Sequence, residues 1–206
     1  MEHTVITIAR SYGSGGKTLG KLLAKELGIK CYDRELIRMA SESSGINEAL
    51  FGEVDEKKKT LSLFKKKAYK GEVLPPDSDE FISDDNLFNI QAECIKELAK
   101  KESCVIIGRC ADYILKDYDN VIRLFFYAPK KDCIERVKAQ NGGTKREIIK
   151  KIEKIDKYRS EFCKYYTGRD WNDARNYDFC LNTTSMSYEK LVEVVKEYIR
   201  ICQEEK

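Results

Sequence analysis

Histidine is almost absent from this chain, because His3 is the only one among its 206 residues. A catalytic triad that needs an imidazole is therefore nearly excluded. None of the eight cysteines stands in a Cys-x-x-Cys pair, so the common zinc sites are not expected either. Cys104 and Cys180 lie within apolar patterns, which indicates small buried hydrophobic residues in a reducing cytoplasm.

Long apolar runs and a strong charge excess are also lacking. No hydrophobic stretch approaches the length of a membrane span, and no leader with a basic region and an apolar core precedes the first strand, so we expect a cytoplasmic protein without membrane contact. The net charge of +3 is too small to indicate nucleic acid as a partner by itself. A hydrophobic fraction of 42% in 206 residues predicts one folded domain with a lid or insertion.

Short apolar runs alternate with segments of helical periodicity along most of the chain. Strands are predicted at Thr4–Ala9, Ile29–Tyr32, Ser103–Ile107, Val121–Tyr127 and Asp178–Asn182. Helices are predicted at Thr18–Leu27, Arg34–Ser41, Asn86–Lys100, from Pro129, from a capping box at Thr144-Lys145-Arg146-Glu147, and at Ser187–Gln203. This alternation predicts an α/β fold with a parallel sheet and helices on both faces.

Residues 42–85 interrupt this pattern and are interpreted as a mobile helical insertion. Two lysine triplets, Lys57-Lys58-Lys59 and Lys65-Lys66-Lys67, are followed there by an acidic stretch. An RNA-binding patch is the alternative, but only Phe64 and Tyr69 offer stacking surface near the lysines. A solvated insertion is therefore favoured, and no nucleic-acid partner is expected.

A glycine-rich segment follows the first strand and opens the first helix, and its sequence is SYGSGGKT from Ser11 to Thr18. Glycines let the backbone N–H groups approach a phosphate chain closely, the helix N-terminus adds partial positive charge, and a lysine adds a full one. The segment matches Gly-x-x-x-x-Gly-Lys-Ser/Thr except that Ser11 replaces the first glycine. It predicts a loop for the ATP phosphates made of Ser11, Gly13, Ser14, Gly15, Gly16, Lys17 and Thr18.

Thr18 is the predicted magnesium ligand of this loop, because a hydroxyl at this position can ligate the ion. No acid ends the run 103–107, so Asp33 or water is expected to complete the coordination. The alternative interpretation of the whole segment is a strand-to-helix turn in which the glycines only relieve steric crowding.

With the loop in place, nearly the whole chain resembles the cytidylate kinase-like family of P-loop kinases. The resemblance rests on ITIARSYGSGGKTLGKLLAKELGI, CYDRELI at 31–37, CVIIGRCADYIL at 104–115 and YYTGRDWNDARNYDFCLNTT at 165–184. It implies a P-loop NTPase-type sheet with a core of about 1–41, 86–140 and 177–206, a substrate-binding insertion of about 42–85 and a basic helical lid of about 141–176. An alternative alignment places Gly16 where cytidylate kinase has its lysine and displaces Lys17 by one residue.

The resemblance also implies roles for residues outside the loop. Asp33 and Arg34, Arg109 and, less directly, Asp112 would bind the acceptor, because Cys110 and Ala111 interrupt the Gly-Arg-Asp segment of cytidylate kinase. Lys157 and Arg159, with Lys17, would act in catalysis, and Arg169 would belong to the lid. The alternatives are a helix N-cap at Asp33, a structural ion pair at Arg109 and a solvated basic lid helix. Trp171 is expected to pack in the core or lid rather than to stack on a base.

Three functions stay open on the sequence. The first is a magnesium-dependent kinase that transfers the ATP γ-phosphate to a nucleoside monophosphate, with CMP or dCMP as the first candidate. The second is phosphoryl transfer to another small metabolite, and the third is a nucleotide-binding regulator without turnover. Ser11, the ambiguous loop alignment and the missing acid after residue 107 favour the third. The oligomeric state is not predicted.

Overall fold

The computed structural model describes residues 3–56, 69 and 71–204. Its centre is a five-stranded sheet of order β2-β3-β1-β4-β5 in which the strand pairs are all parallel. The strands are β1 (Val5–Arg10), β2 (Lys30–Tyr32), β3 (Cys104–Ile107), β4 (Val121–Tyr127) and β5 (Phe179–Asn182). The predicted α/β class and parallel sheet are therefore confirmed.

Eight α-helices lie within the described residues and cover both faces of the sheet. They are α1 (Gly16–Leu27), α2 (Glu35–Ser44), α3 (Glu48–Glu56), α4 (Asp84–Lys101), α5 (Ala111–Ile114), α6 (Lys130–Asn141), α7 (Lys145–Thr167) and α8 (Tyr188–Glu204). In this described part of the chain, no helix combines the length and the apolarity that crossing a bilayer requires.

The core has two layers, one on each face of the sheet, because successive side chains of the buried strands point to opposite faces. In β1, Ile6 and Ile8 pack with Leu19 and Leu23 of α1, and α8 closes this layer. Val5 points to the opposite layer, which α2, α4 and α7 cover. Successive side chains of a strand face opposite sides of a sheet, so a strand buried on both faces must be apolar throughout. β1 consequently lies at the centre of the sheet, and the loop that follows it opens at the carboxyl edge.

The predicted elements agree with the observed ones to within a few residues. Val121–Tyr127 matches β4, and Gly28 ends α1 in the left-handed conformation, as its position predicts. The capping box is present, because the Thr144 hydroxyl and the Glu147 carboxylate each accept a hydrogen bond from the other residue's backbone N–H. The four-residue helix α5 and a 3₁₀ turn at Ala174–Asn176 were not predicted.

The segment from 42 to 85 is only partly helical where the structure describes it. α2 runs on to Ser44, α3 follows, and residues 71–83 form extended chain and turns that lead into α4. The two lysine triplets lie outside the described residues, as does the RNA-binding alternative that depended on them. Trp171 packs edge-on against Phe125 in the core, as expected.

The capping box of α7 offers a test of local stability. Removing the hydroxyl by Thr144→Ala should lower the free energy of unfolding by about 1 kcal/mol, because the N–H of Glu147 loses its acceptor. Lys150→Ala, at an exposed position of the same helix, is the control and should change stability by less than about 0.5 kcal/mol. Urea denaturation measures both, and equal effects would contradict the capping role.

Candidate functional site

The loop of residues 11–15 connects β1 to α1 at the carboxyl edge of the sheet. Gly13 and Gly15 both have φ of 81°, which L side chains rarely adopt. Gly15 is the N-cap of α1 and has no side chain to cap it, the Ser14 hydroxyl accepts a hydrogen bond from the N–H of Gly16 at 3.3 Å, and the first turn contains no acidic residue. The first N–H groups of a helix lack intrahelical acceptors and carry the positive end of its dipole. The loop therefore presents a site suited to an anion such as phosphate.

Close packing around the loop leaves no room for side chains at its glycines. A Cβ at Gly13 would lie 2.9 Å from the carbonyl oxygen of Cys133, and one at Gly16 would lie 2.7 Å from Cβ of Arg10. A lysine at position 16 would therefore displace the strand or the helix. Position 16 therefore excludes a side chain, and Lys17 is the lysine next to it in the loop.

Arg136 and Thr183, which the sequence analysis did not identify, bind the loop at Ser14. Ser14 is fully buried, and its carbonyl oxygen accepts hydrogen bonds from the Thr183 hydroxyl and from Nη1 of Arg136 at 2.5 Å. Nη1 and Nη2 of Arg136 also donate to the hydroxyl and carbonyl oxygens of Thr183, at 2.8 and 2.7 Å. Arg136 lies 122 residues from Ser14 along the chain, and no local pattern in α6 marks it.

Lys17 and Asp33 form an ion pair at the mouth of the loop. Nζ of Lys17 lies 2.5 Å from Oδ2 of Asp33, with 51% of the lysine side chain and 15% of the aspartate side chain exposed. Burial favours the neutral acid at Asp33, but the Lys17 ammonium, aided by Arg10 and Arg109, outweighs it and lowers the pKa of this carboxyl. Asp33 does not cap α2, whose N-cap is Arg34 without a side-chain bond.

Arg109 approaches the same aspartate from the end of β3. Its backbone is left-handed, with φ of 59°, a strained conformation for a residue with a long side chain. The side chain donates from Nε to the carbonyl oxygen of Asp33 at 3.4 Å and from Nη1 to the buried side chain of Gln91. The structure thus brings Lys17, Asp33 and Arg109 together, whereas Arg34 is exposed at the start of α2.

Asp112 lies apart from these contacts, buried at the start of α5. Burial raises the pKa of its carboxyl to about 6, although Arg169 and Arg123 act in the opposite direction. The Arg169 guanidinium also stands 4.8 Å from the centre of the Tyr113 ring. Arg169 and Asp112 therefore form a neighbouring charged group beside α5.

Helix α7 contacts the loop directly. The Asp156 carboxylate accepts a hydrogen bond from the N–H of Tyr12 at 2.7 Å, and Nη1 of Arg159 donates to the carbonyl oxygen of Arg10 at 2.9 Å. Residues three apart share one face of a helix, so Asp156 and Arg159 meet the loop together. Lys157 lies about 100° from Asp156 around the helix axis. Its side chain is 76% exposed and pairs with Glu161.

Thr18 is exposed on the first turn of α1. Among the residues that the structure describes, no three His, Cys, Asp or Glu side chains gather closely enough to hold a metal ion. A divalent ion at this loop would therefore depend on a hydroxyl, on water and on the oxygens of its ligand, which suits magnesium.

Sequence comparison places this site in a known family. The model of the cytidylate kinase-like family matches residues 5–185. The cytidylate kinase of Pyrococcus horikoshii is 29% identical over 197 residues, which cover 95% of this chain and 88% of that protein. The resemblance inferred from the motifs is therefore confirmed.

Comparison with solved structures supports the fold. An uncharacterized protein from Eubacterium ventriosum superimposes with a TM-score of 0.71 at 25% identity, over 96% of this chain and 99% of that chain. A shikimate kinase from Bacteroides thetaiotaomicron gives a TM-score of 0.56 at 16% identity, over 96% and 98% of the two chains. The arrangement of the sheet and its covering helices is therefore shared with these two proteins.

The hydrogen bonds of Arg136 generate the first prediction for the site. Arg136→Ala should lower the free energy of unfolding by roughly 1–3 kcal/mol, because the buried carbonyl oxygens of Ser14 and Thr183 lose donors. Arg175→Ala is the matched control, since Arg175 forms an exposed pair with Asp173 that water screens, and it should change stability far less than Arg136→Ala. Chemical denaturation gives both values, and equal losses would show that Arg136 does not support the loop.

The raised pKa of Asp112 generates a second prediction. The native carboxyl keeps its proton up to about pH 6, whereas the unfolded chain releases it near pH 4, so the Asp112 contribution to stability becomes less favourable as pH rises through this window. Asp112→Asn should therefore gain roughly 2–3 kcal/mol relative to the wild type between pH 4 and pH 7. Denaturation of both proteins across this range measures the difference, and a constant difference would contradict the burial effect.

Proposed function

The chain belongs to the cytidylate kinase-like family, and we propose that it transfers the γ-phosphate of ATP to a nucleoside monophosphate, with CMP or dCMP as the first candidates. The observation that carries the proposal is the ion pair of Lys17 and Asp33. It joins the phosphate loop to the end of β2, where open α/β sheets bind ligands. A donor bound in the loop and an acceptor bound beside Arg109 would thus meet at this pair.

In the proposed reaction, an oxygen of the acceptor phosphate attacks the γ-phosphorus of ATP. A new P–O bond forms, the bond to the β-phosphate bridging oxygen breaks, and ADP leaves with the electron pair. The loop residues Ser11–Thr18 would enclose the donor phosphates. The N–H groups of Gly13, Gly15, Lys17 and Thr18 would be the donors, because those of Ser11, Tyr12, Ser14 and Gly16 are bonded within the protein. Lys17 would neutralise charge on the transferred group. Asp33 and Arg109 would orient the acceptor, since a guanidinium binds phosphate with two parallel hydrogen bonds. Positioning and charge stabilisation account for most of the rate of such reactions.

The remaining predicted residues are assigned to acceptor binding and closure. Arg34 and Asp112 would line the site that binds the acceptor, and Arg169 would lie there beside Asp112. The segment 141–176 would act as the lid, with Arg159 moving from the Arg10 carbonyl to the phosphates and Lys157 turning inward on closure. The segment 42–85 would enclose the nucleoside, and residues 1–41, 86–140 and 177–206 would form the core.

Magnesium is proposed as the accompanying ion. The Thr18 hydroxyl is the residue of this chain that would hold it, with the nucleotide phosphates and water as further ligands. Bound magnesium would supply charge neutralisation at the donor phosphates.

A different small metabolite is the second candidate acceptor, and one observation favours it. Cys110 and Ala111 separate Asp112 from the Gly108-Arg109 segment, and the Asp112 carboxyl is buried beside α5. An acceptor-binding aspartate displaced in this way would leave the base or sugar of CMP without one polar partner. Acceptors that offer only a phosphate to Arg109 would not need it.

A coupled assay of ADP release tests both candidates. Purified protein is given ATP and magnesium with each nucleoside and deoxynucleoside monophosphate, and then with a panel of phosphorylated and unphosphorylated metabolites. Stimulation selective for CMP or dCMP is expected. Stimulation by another metabolite alone would support the second candidate, and ATP binding without acceptor-dependent release at any magnesium concentration would identify a regulator and overturn the proposal.

Lys17 provides the matching mutational prediction. Lys17→Ala should lower kcat by roughly 10²–10³-fold, because the charge that develops on the transferred phosphoryl group loses its ammonium partner. Lys25→Ala, an exposed lysine farther along α1, is the control and should leave kcat within about twofold. Unchanged turnover in Lys17→Ala would show that the ammonium does not reach the donor phosphates.

A further inference from the structure

Arg10 is a cation in the site that the loop motif does not include. It is the last residue of β1, the central strand, and directly precedes the loop. Its Cβ and Cγ run beside Gly16, 2.7 and 3.3 Å from the point that a Cβ of Gly16 would occupy. The side chain thus crosses the first residue of α1 and leads away from the strand towards β3.

The guanidinium of Arg10 ends against Gly108, which follows β3. A Cβ at Gly108 would overlap Nη1 of Arg10 and would lie 3.1 Å from its Cζ and 3.4 Å from Nη2. Both Gly16 and Gly108 therefore leave space that the Arg10 side chain fills. Gly16, Gly108 and Arg10 therefore pack together between the loop of residues 11–15 and Arg109.

Two aspartates, Asp33 and Asp156, interact with the charge of Arg10. This charge adds to the effect of Lys17 in lowering the pKa of Asp33 against burial, and it opposes the burial that raises the pKa of Asp156. Asp33 is also paired with Lys17, and Asp156 is bonded to the N–H of Tyr12 and to Arg159. The Arg10 guanidinium thus lies where the donor half and the acceptor half of the site meet.

We propose that Arg10 is a further catalytic residue that contacts the γ-phosphoryl group of ATP while that group passes to the acceptor. The proposal rests on the proposed phosphotransferase function. Because Gly16 excludes a side chain and Lys17 is paired with Asp33, a cation that extends from the end of β1 past Gly16 would be placed to reach the γ-phosphate. Arginine suits this position, since its guanidinium can donate two parallel hydrogen bonds to phosphate oxygens.

Binding of Mg·ADP and of a non-hydrolysable Mg·ATP analogue, measured by calorimetry, tests the proposal without requiring turnover. Wild-type protein should bind the triphosphate more tightly than the diphosphate. Arg10→Ala should reduce this preference by about 10–100-fold and leave the affinity for Mg·ADP within about threefold, because only the γ-phosphate loses its donor. Arg10→Lys keeps the charge and should retain part of the preference.

Gly108→Ala offers an independent variant that keeps Arg10 but displaces its guanidinium. Gly28→Ala is the matched control, because Gly28 also has positive φ, 68° against 78° for Gly108, yet nothing lies within 4 Å of its Cβ position. Gly108→Ala should lower the triphosphate preference, whereas Gly28→Ala should only reduce stability. Circular dichroism confirms that each variant is folded before binding is measured.

Two results would overturn the assignment of Arg10. One is an unchanged preference for triphosphate over diphosphate in folded Arg10→Ala, and the other is an equal loss of affinity for both ligands, which would show a structural role. Failure of the proposed function is a separate result, because it would appear as wild-type protein that releases no ADP with any acceptor. The binding ratio of Arg10→Ala would still report on the γ-phosphate in that case.

Discussion

The close approach of the backbone at Gly13 and Gly16 to its neighbours is the constraint on which the site depends. Gly13 touches the carbonyl of Cys133 in α6, and Gly16 touches Arg10 in β1, so neither position can carry a side chain. This packing fixes the loop against two elements, β1 and α6, at the start of α1. Every cation of the site is arranged around that fixed anion-binding turn. Arg136 completes the arrangement from the far side, where it holds the Ser14 carbonyl.

Two cations of the site, Lys17 and Arg159, are paired with carboxylates or a backbone carbonyl. Lys17 pairs with Asp33, and Arg159 lies between Asp156 and the Arg10 carbonyl. An ion pair whose lysine is half exposed contributes at most about 1 kcal/mol, because water screens it. Replacing the Asp33 carboxylate by a phosphate oxygen as the partner of Lys17 would therefore cost little free energy. In the proposed reaction, the Lys17–Asp33 pair would thus keep the ammonium near the loop without holding it strongly against an incoming nucleotide.

Local sequence patterns predicted the elements whose causes are local. The apolar run of β4, the glycine that ends α1 and the capping box of α7 each depend on residues that are neighbours in the chain, and all three are confirmed. Arg136 was missed because its partners Ser14 and Thr183 lie 122 and 47 residues away, and no periodicity encodes such contacts. Arg10 was missed for a related reason: its importance comes from space left by Gly16 and Gly108, which only the folded chain brings together. The Gly-Lys-Thr motif located the loop but could not show why position 16 must be glycine.

In helix α7, the spacing of the charged residues decides which of them contact the loop and which face solvent. α7 carries many basic residues, and the sequence alone could not tell which of them face the loop. The Tyr12 N–H and the Arg10 carbonyl form a donor and an acceptor at the loop entrance, and a helix can meet both only with a carboxylate and a cation on one face. Asp156 and Arg159, three residues apart, satisfy this requirement, while Lys157 faces solvent. A phosphate that draws Arg159 away from the Arg10 carbonyl would also loosen the Asp156 contact. In the proposed lid role, closure of the helix and the contacts of the loop would therefore be coupled through a single turn of α7.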